Sequence, residues 1–157
     1  MPYVETSIEI SAPKERIYEL AKDMESYPEF MPDIEFVKVI KRSGNETVTR
    51  WKTLVEEAPI EWTELDVFDD ANTRIDYKLI EGDLDKFEGA WTFSEHDGRT
   101  KVVLGVDYDF GVPTLAELIG PILRKKVEEN SLMMLQGLKV RCENNADGAP
   151  ASPPFDG

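Results

Sequence analysis

The sequence predicts an α+β domain in which a curved antiparallel sheet of about seven strands wraps a long C-terminal helix. Three observations predict it: apolar residues alternate along several short stretches within residues 3–110, turn residues separate these stretches, and a helical apolar stripe follows residue 113. Strands followed by a helix, without regular alternation of the two, are typical of α+β folds with an antiparallel sheet.

The first strand is predicted over residues 3–10, and a short helix follows it directly. Ser11 is a suitable helix cap, and Pro13 suits the first helical turn. We expect this helix to end near Ser26, because Pro28 disfavours the helical conformation in the residue before it.

Six further strands are predicted as a meander. Their bounds are residues 36–41, 46–54, 60–68, 74–80, 86–94 and 101–110. The last of them alternates most cleanly, since Val102, Leu104, Val106 and Tyr108 share one face,. Alternation is broken over residues 46–68, so the sequence leaves open which side of those two strands points inward.

A long helix is predicted from Thr114 to about Arg141, with an apolar stripe that needs a large surface to cover it,. Roughly 28 helical residues span about 42 Å, which is enough to cross the sheet. We therefore predict one domain over residues 1–143. Residues 144–157 are small, polar and rich in proline, and we predict a disordered tail there,.

Length and hydropathy are those of a single globular domain. The chain has 157 residues, its mean hydropathy is -0.40, and no apolar run approaches the ~20 residues of a membrane helix. The sequence therefore predicts no integral membrane segment. The first residues show neither a basic region nor an apolar run of the kind found in signal peptides, so we expect a cytoplasmic location,.

The net charge and the scarcity of metal-binding residue types argue against nucleic-acid binding and against a metal site. The net charge of -14 disfavours nucleic acid as a partner, because phosphate backbones are bound by clustered Lys and Arg,. Cys142 and His96 are the only cysteine and histidine, which argues against a metal site. His96 lies at a predicted hairpin tip, where a solvated turn residue is expected. No cofactor is predicted.

Three motifs carry a family resemblance: residues 10–13 (ISAP), 27–32 (YPEFMP) and 81–93 (EGDLDKFEGAWTF). Together with the order of elements they resemble the START-like (SRPBCC) superfamily, which has the helix-grip fold. Within it the chain is similar to the polyketide cyclase/dehydrase group, which includes coenzyme Q-binding proteins, RatA-type toxins and aromatic polyketide aromatase/cyclases. The resemblance covers residues 3 to about 142. It implies an apolar cavity between the sheet and the long helix, with the loop after the first helix near the mouth.

The candidate cavity residues are mainly aromatic side chains on inward strand positions and flexible methionines on the long helix. They are Tyr27, Phe30, Trp51, Trp62, Tyr77, Leu79, Phe87, Trp91, Tyr108, Val127, Met133 and Met134. For each of them the alternative is an ordinary core position.

Arg50 and Glu64 are the candidate polar groups of the cavity. If the face of Arg50 points outward, Trp51 points inward and the arginine is solvated. If it points inward, its buried charge needs a carboxylate partner, for which Glu64 is the candidate.

Three functions remain open. A binding or carrier protein for an apolar small molecule, such as a lipid, an isoprenoid quinone or a polyketide, needs only an apolar cavity with a few polar groups. An aromatase/cyclase also needs a polar group that polarises a carbonyl or moves a proton. The related enzymes keep inward arginines, whereas the segment around Trp62 offers Glu64 and Asp66. A RatA-like contact with the ribosome is disfavoured by the negative charge. The oligomeric state is left open.

Overall fold

The computed structural model describes residues 3–55, 58–109 and 113–146. The elements run in the order β1 (Tyr3–Ile10), α1 (Lys14–Lys22), a 3₁₀ helix (Met24–Glu29), β2 (Ile34–Ser43), β3 (Glu46–Val55), β4 (Ala58–Asp69), β5 (Arg74–Gly82), β6 (Lys86–His96), β7 (Arg99–Asp109) and α2 (Pro113–Ala146).

The seven strands form one antiparallel sheet in the order β1-β7-β6-β5-β4-β3-β2. The predicted α+β class and the helix-grip architecture are therefore confirmed. The first strand has the predicted bounds, whereas β2 to β6 extend one to two residues past the predicted ends at one or both sides. Backbone pairing continues into the hairpins after side-chain alternation has ended. Phe110, predicted to end the last strand, lies outside the described residues.

Strands β3 and β4 have the two faces that the sequence left open. Trp51 pairs directly with Trp62 across the two strands, and both side chains are buried. In phase with them, the other buried positions of these strands are Thr47, Thr49, Thr53, Glu64, Asp66 and Phe68. All of these except Phe68 are threonines or carboxylic acids, and this is why the apolar alternation was hard to read.

The start and end of the first helix differ from the prediction. α1 begins at Lys14 after Pro13, which occupies the capping position, and no side chain caps it. Ser11 instead donates its backbone N–H to the Glu143 carboxylate of α2. The α-helix ends at Lys22, and the chain continues as the 3₁₀ helix that contains Pro28. Pro28 lacks the backbone N–H that a continued α-helix would use at this position, and short 3₁₀ turns are common where an α-helix ends.

α2 is longer than predicted, because it begins at Pro113 and residues 144–146 continue its last turn. The remaining part of the predicted tail, residues 147–157, lies outside the described residues. α2 packs against β1, β7 and α1. Its Leu135, Leu138 and Cys142 side chains are fully or almost fully buried, so the C-terminal half of α2 forms part of the core.

Helical side chains bond the two edge strands of the sheet. Arg124 and Lys139 of α2 donate to the backbone oxygens of Tyr3 and Glu9 in β1, each at 3.0 Å. On the opposite edge, the Glu25 carboxylate accepts the backbone N–H of Val39 in β2 at 2.8 Å.

Within the described part of the chain, no helix is long and apolar enough to cross a membrane. In the same residues, no group of three or more His, Cys, Asp or Glu side chains is arranged to hold a metal ion.

Candidate functional site

A cavity of about 90 Å³ lies between the inner face of the sheet and the middle of α2. On the same measure a single water molecule needs about 10–15 Å³, so the cavity has room for a small organic group. Its sheet wall is formed by Ile34, Trp51, Thr53, Val55, Ile60, Trp62, Glu64, Tyr77, Leu84, Phe87, Trp91, Leu104 and Val106. Its helix wall is formed by Leu123, Lys126, Val127, Asn130, Ser131 and Met134.

Aromatic rings form a continuous surface along the sheet wall. The Trp51 and Trp62 indoles stack with centroids 5.4 Å apart and planes 11° apart, as their direct cross-strand pairing allows,. Phe87 lies 5.1 Å from Trp62 and 5.4 Å from the Tyr77 ring, and both pairs are tilted. Since β3, β4, β5 and β6 each contribute one ring, the surface extends across four strands and presents flat apolar faces to the cavity.

Gly89 permits the position of the Tyr77 ring in this wall. The Tyr77 hydroxyl donates to the Gly105 backbone oxygen at 2.6 Å. A Cβ on Gly89 would lie 2.8 Å from that hydroxyl and 2.0 Å from the Gly105 oxygen. The tyrosine therefore reaches across the sheet only because residue 89 has no side chain.

Two carboxyl groups of β4, Glu64 and Asp66, form a buried pair at the sheet wall. Glu64 lines the cavity and is 3% exposed, whereas Asp66 is fully buried. The Trp62 indole N–H donates to Glu64 Oε1 at 2.7 Å. The Thr49 and Thr47 hydroxyls donate to Asp66 Oδ2 at 2.6 and 3.2 Å.

The surroundings of this pair favour the protonated form of its carboxyl groups. Burial, followed by the charge of Asp66, raises the pKa of Glu64 well above its usual value. Burial also raises the pKa of Asp66, but the hydrogen bonds from Glu64, Thr49 and Thr47 oppose this shift. Glu64 therefore favours its neutral form more strongly than an ordinary glutamate and is the proton donor toward Asp66, since neighbouring carboxyl groups disfavour double ionisation.

The described tyrosines of this region stay neutral. Burial raises the pKa of both Tyr27 and Tyr77 well above the usual value. Cys142 is also inert, because burial raises the pKa of its thiol to about 12, and nucleophilic chemistry requires the thiolate.

One side of the cavity meets solvent. Val55 and Ile60, on either side of the β3–β4 connection, are half-buried, and so are Leu123, Lys126 and Val127 of α2. The opposite end is closed by Trp51, Trp91 and Leu104, which are at most 3% exposed.

Eight of the candidate residues are on the cavity wall. They are Trp51, Trp62, Glu64, Tyr77, Phe87, Trp91, Val127 and Met134. Of the others, Tyr27 and Tyr108 are buried in the core, and Phe30, Leu79 and Met133 are half-buried against it.

Tyr27 and Phe30 lie behind the cavity wall. The Tyr27 ring is 5.5 Å from Trp51 and 6.2 Å from Trp91, and its hydroxyl donates to the Ala21 backbone oxygen. Phe30 packs on Tyr27 and under the Arg141 guanidinium, whose carbon lies 4.9 Å from the ring centroid. These contacts anchor the 3₁₀ helix and the segment after it to the core.

Arg50 lies outside the cavity, which corrects the interpretation in which it faces inward and pairs with Glu64. Its side chain is 56% exposed and pairs with Glu61 at 3.1 Å. The reason is the phase of β3: Trp51 takes the inward position, so Arg50 takes the outward one.

The sequence reasoning missed several wall residues, most of which had a usable signal. On β3 and β4, the missed residues Thr53, Val55 and Ile60 lie an even number of positions from Trp51 or Trp62 and therefore face the same side. On β7, the missed residues Leu104 and Val106 belong to the face that was predicted to be apolar. On α2, the missed residues lie on one helix face with Val127, at spacings of three or four residues from it or from each other: Leu123, Lys126, Asn130 and Ser131,. Ile34, at the start of β2, and Leu84, in the connection between β5 and β6, had no such signal.

The sheet order, the long helix and the cavity between them define a START-like domain with the helix-grip fold. The model of the family described as polyketide cyclase / dehydrase and lipid transport matches residues 10–134. This chain therefore belongs to that family.

Solved structures with the same fold cover nearly the whole chain. The protein TTHA0849 from Thermus thermophilus is 33% identical with a TM-score of 0.88, over 92% of this chain and 99% of that one. The Zhui aromatase/cyclase from Streptomyces sp. R1128 is 22% identical with a TM-score of 0.87, over 96% and 98%. A START superfamily protein from Mycobacterium smegmatis is 21% identical with a TM-score of 0.79, over 90% and 97%. The last two similarities concern the fold alone.

No curated protein matches the chain. The family description covers polyketide cyclase or dehydrase activity and lipid transport.

Proposed function

We propose that this protein binds an apolar, ring-containing small molecule in the cavity between the sheet and α2, and acts as its carrier. The observation that carries the proposal is the aromatic wall of Trp51, Trp62, Tyr77 and Phe87 around space that is already open. Small-molecule sites are typically preformed, mostly apolar and supplied with a few polar groups. The buried Glu64 carboxyl is such a group.

The ligand classes that suit this site are an isoprenoid quinone, a polyketide-like ring system, or a lipid whose ring or tail reaches the aromatic rings. The family description includes both cyclase and lipid-transport members. The half-buried residues at the open side let a longer molecule extend toward solvent. We also expect a cytoplasmic location and no bound cofactor, on the grounds given by the sequence.

Native mass spectrometry of protein purified from its own cells tests the carrier function. We expect a bound molecule of discrete mass on the wild type. Val127→Trp fills the cavity from the side of α2, and this variant is expected to lose most of the bound molecule. Glu128→Trp adds the same side chain at the next position, which is exposed and off the wall, and is expected to retain the molecule. Ligand-free wild type that also shows no thermal shift with a panel of quinones and fatty acids would end the proposal.

The second candidate is an aromatase/cyclase, and the Glu64–Asp66 pair is the observation that favours it. A neutral acid beside a carboxylate in an apolar site can deliver a proton to a carbonyl or remove one through the partner. The Zhui aromatase/cyclase has the same fold. One feature disfavours this candidate: the related enzymes keep inward arginines, whereas Arg50 points outward.

Reconstitution with a minimal polyketide synthase separates the two candidates. Catalysis predicts a changed ring pattern in the products, and Glu64→Gln should return the pattern to that of the synthase alone. Unchanged products with the wild-type protein would leave only the carrier function.

A further inference from the structure

The hydrogen-bond donors around the Glu64–Asp66 pair are already engaged. The Trp62 indole N–H is used by Glu64, and the Thr47 and Thr49 hydroxyls are used by Asp66. Behind them, the Trp51 indole N–H donates to the Thr49 hydroxyl at 2.8 Å. On the same wall, the Tyr77 hydroxyl is used by the Gly105 backbone oxygen.

The acceptors of the pair are in excess. Asp66 Oδ1 is buried and accepts no hydrogen bond from any conventional donor of the described residues. The one proton left for it is the acid proton of Glu64, whose carboxyl is hydrogen-bonded to Asp66. Once that proton is committed, Glu64 offers the cavity only lone pairs. No lysine or arginine forms an ion pair with either carboxyl among the described residues.

We propose that the Glu64–Asp66 pair is a hydroxyl-recognition site, which accepts a hydrogen bond from an alcohol, phenol or enol group of the ligand and disfavours a ligand whose oxygen there is only an acceptor. The inference rests on the proposed function, since it requires that the cavity holds a small molecule.

A ligand hydroxyl continues the chain of hydrogen bonds that ends on the Asp66 charge. The ligand O–H donates to Glu64, and Glu64 donates to Asp66, so that each bond polarises the next. A carbonyl or ether oxygen instead meets the lone pairs of Glu64. To serve it, the Glu64 proton must leave Asp66, whose buried carboxylate then loses that donor. The site therefore separates a hydroquinone or phenol from the corresponding quinone or ether.

α2 offers other polar groups to the same cavity, namely Lys126, Asn130 and Ser131. A ligand oxygen that bonded these groups would lie against the helix and away from β4. Substitution of Glu64 distinguishes the two arrangements, because only the proposed one depends on it.

Three naphthalenes of similar size test the proposal by equilibrium dialysis at neutral pH. Naphthalene has no oxygen, 2-methoxynaphthalene has an acceptor only, and 2-naphthol has a donor. We expect wild-type protein to bind 2-naphthol about tenfold or more tightly than 2-methoxynaphthalene, the ratio that one buried hydrogen bond supplies. Glu64→Leu should abolish the ratio while naphthalene still binds.

Two further carboxyl substitutions serve as controls. Glu64→Gln keeps an oxygen acceptor and should retain most of the preference for 2-naphthol. Glu61→Gln removes a carboxylate from the outward face of the same strand, where it pairs with Arg50, and should leave the preference unchanged. If Glu64→Leu does not fold, as judged by circular dichroism, Asp66→Asn replaces it. This variant removes the charge that holds the Glu64 proton, so the preference should fall at least threefold.

The outcomes separate this inference from the proposed function. If wild type binds all three probes equally, or if the 2-naphthol preference survives in both Glu64→Leu and Asp66→Asn, the hydroxyl site is wrong and the carrier function stands. If wild type binds none of the three probes, the apolar-ring carrier function fails and the hydroxyl site fails with it.

Discussion

Two parts of α2 cover the same sheet with different results. The C-terminal part, from Leu135 onward, is called the packed half, and it places Leu135, Leu138 and Cys142 in a core with almost no exposure. The part before it, from Leu123 to Met134, is called the cavity half, and it covers the cavity with mostly half-buried side chains. The difference follows from what lies beside each half: α1 and the 3₁₀ helix with the segment after it add a further layer next to the C-terminal half, where they supply Ile17, Tyr27 and Met31 to the core. One helix can therefore stabilise the domain at one end and leave room for a ligand at the other.

The largest effect is expected from Leu138→Ala in the packed half. Leu138 is fully buried, so its truncation leaves a void among closely packed neighbours and should cost about 2–5 kcal/mol of unfolding free energy. Chemical denaturation measures the loss. A cost below about 1 kcal/mol would show that this half is packed no better than the cavity half, and the comparison would fail.

Gly137→Ala should also destabilise the packed half, by about 1–3 kcal/mol. A Cβ at this position would lie 2.2 Å from the Phe30 backbone oxygen and 3.1 Å from Met31 Cγ. The segment after the 3₁₀ helix would have to move away from α2. Denaturation reports the stability, and tryptophan fluorescence reports any accompanying shift at Trp51, which contacts Tyr27. Unchanged stability would mean that this contact is not close.

Glu64→Gln tests the buried carboxyl of the cavity through the pH dependence of protein stability. Because burial raises the pKa of Glu64, the folded protein keeps a proton that the unfolded chain releases above about pH 4.3. The folded state then binds more protons, so wild-type stability falls as pH rises toward the folded pKa, with a limiting slope of about 1.4 kcal/mol per pH unit.

The glutamine variant lacks this proton linkage, while Asp66 titrates in both proteins. The stability of Glu64→Gln relative to wild type should therefore increase as the pH rises above about 5. Glu61→Gln, on the exposed face of the same strand, should show no such trend. A stability difference independent of pH would indicate that Glu64 is ionised in the folded protein.

The smallest effect is expected from Met134→Ala, the counterpart of Leu138→Ala in the other half. Met134 is half-buried and borders space that is already open, so fewer contacts are lost and the cost should be about 1 kcal/mol or less. The enlarged cavity should admit bulkier ring compounds, which a thermal-shift series of naphthalene, anthracene and pyrene measures. A cost equal to that of Leu138→Ala would remove the distinction between the halves.

The sequence predicted the architecture well, because strand alternation and the stripe of α2 are set by local periodicity. It predicted the cavity face of β3 and β4 poorly. There the inward positions include Thr47, Thr49, Glu64 and Asp66, residue types that usually face water. Only the register of the two strands, which pairs Trp51 with Trp62, shows that these side chains share the buried face. The sequence therefore named Glu64 and Asp66 together without revealing that both are buried beside two threonines.

Tyr27 and Phe30 show a second limit of sequence reasoning. Large apolar side chains in a connection indicate that it folds against an apolar surface, but they do not distinguish a cavity mouth from a core. The structure places both rings against the packed half, because the Tyr27 hydroxyl bonds the Ala21 oxygen and Arg141 covers Phe30. Those partners are far apart in sequence or belong to the backbone, so no local pattern reveals them.

The bonds from helical side chains to the edge strands have a consequence for self-association. An open sheet offers unpaired backbone groups at each edge, where a strand of a second molecule can add. Here Arg124 and Lys139 occupy two of the β1 carbonyl oxygens, and Glu25 occupies a backbone N–H of β2. An incoming strand would have to displace charged side chains at both edges. The same helices that cover the inner face of the sheet thus also disfavour edge-to-edge aggregation.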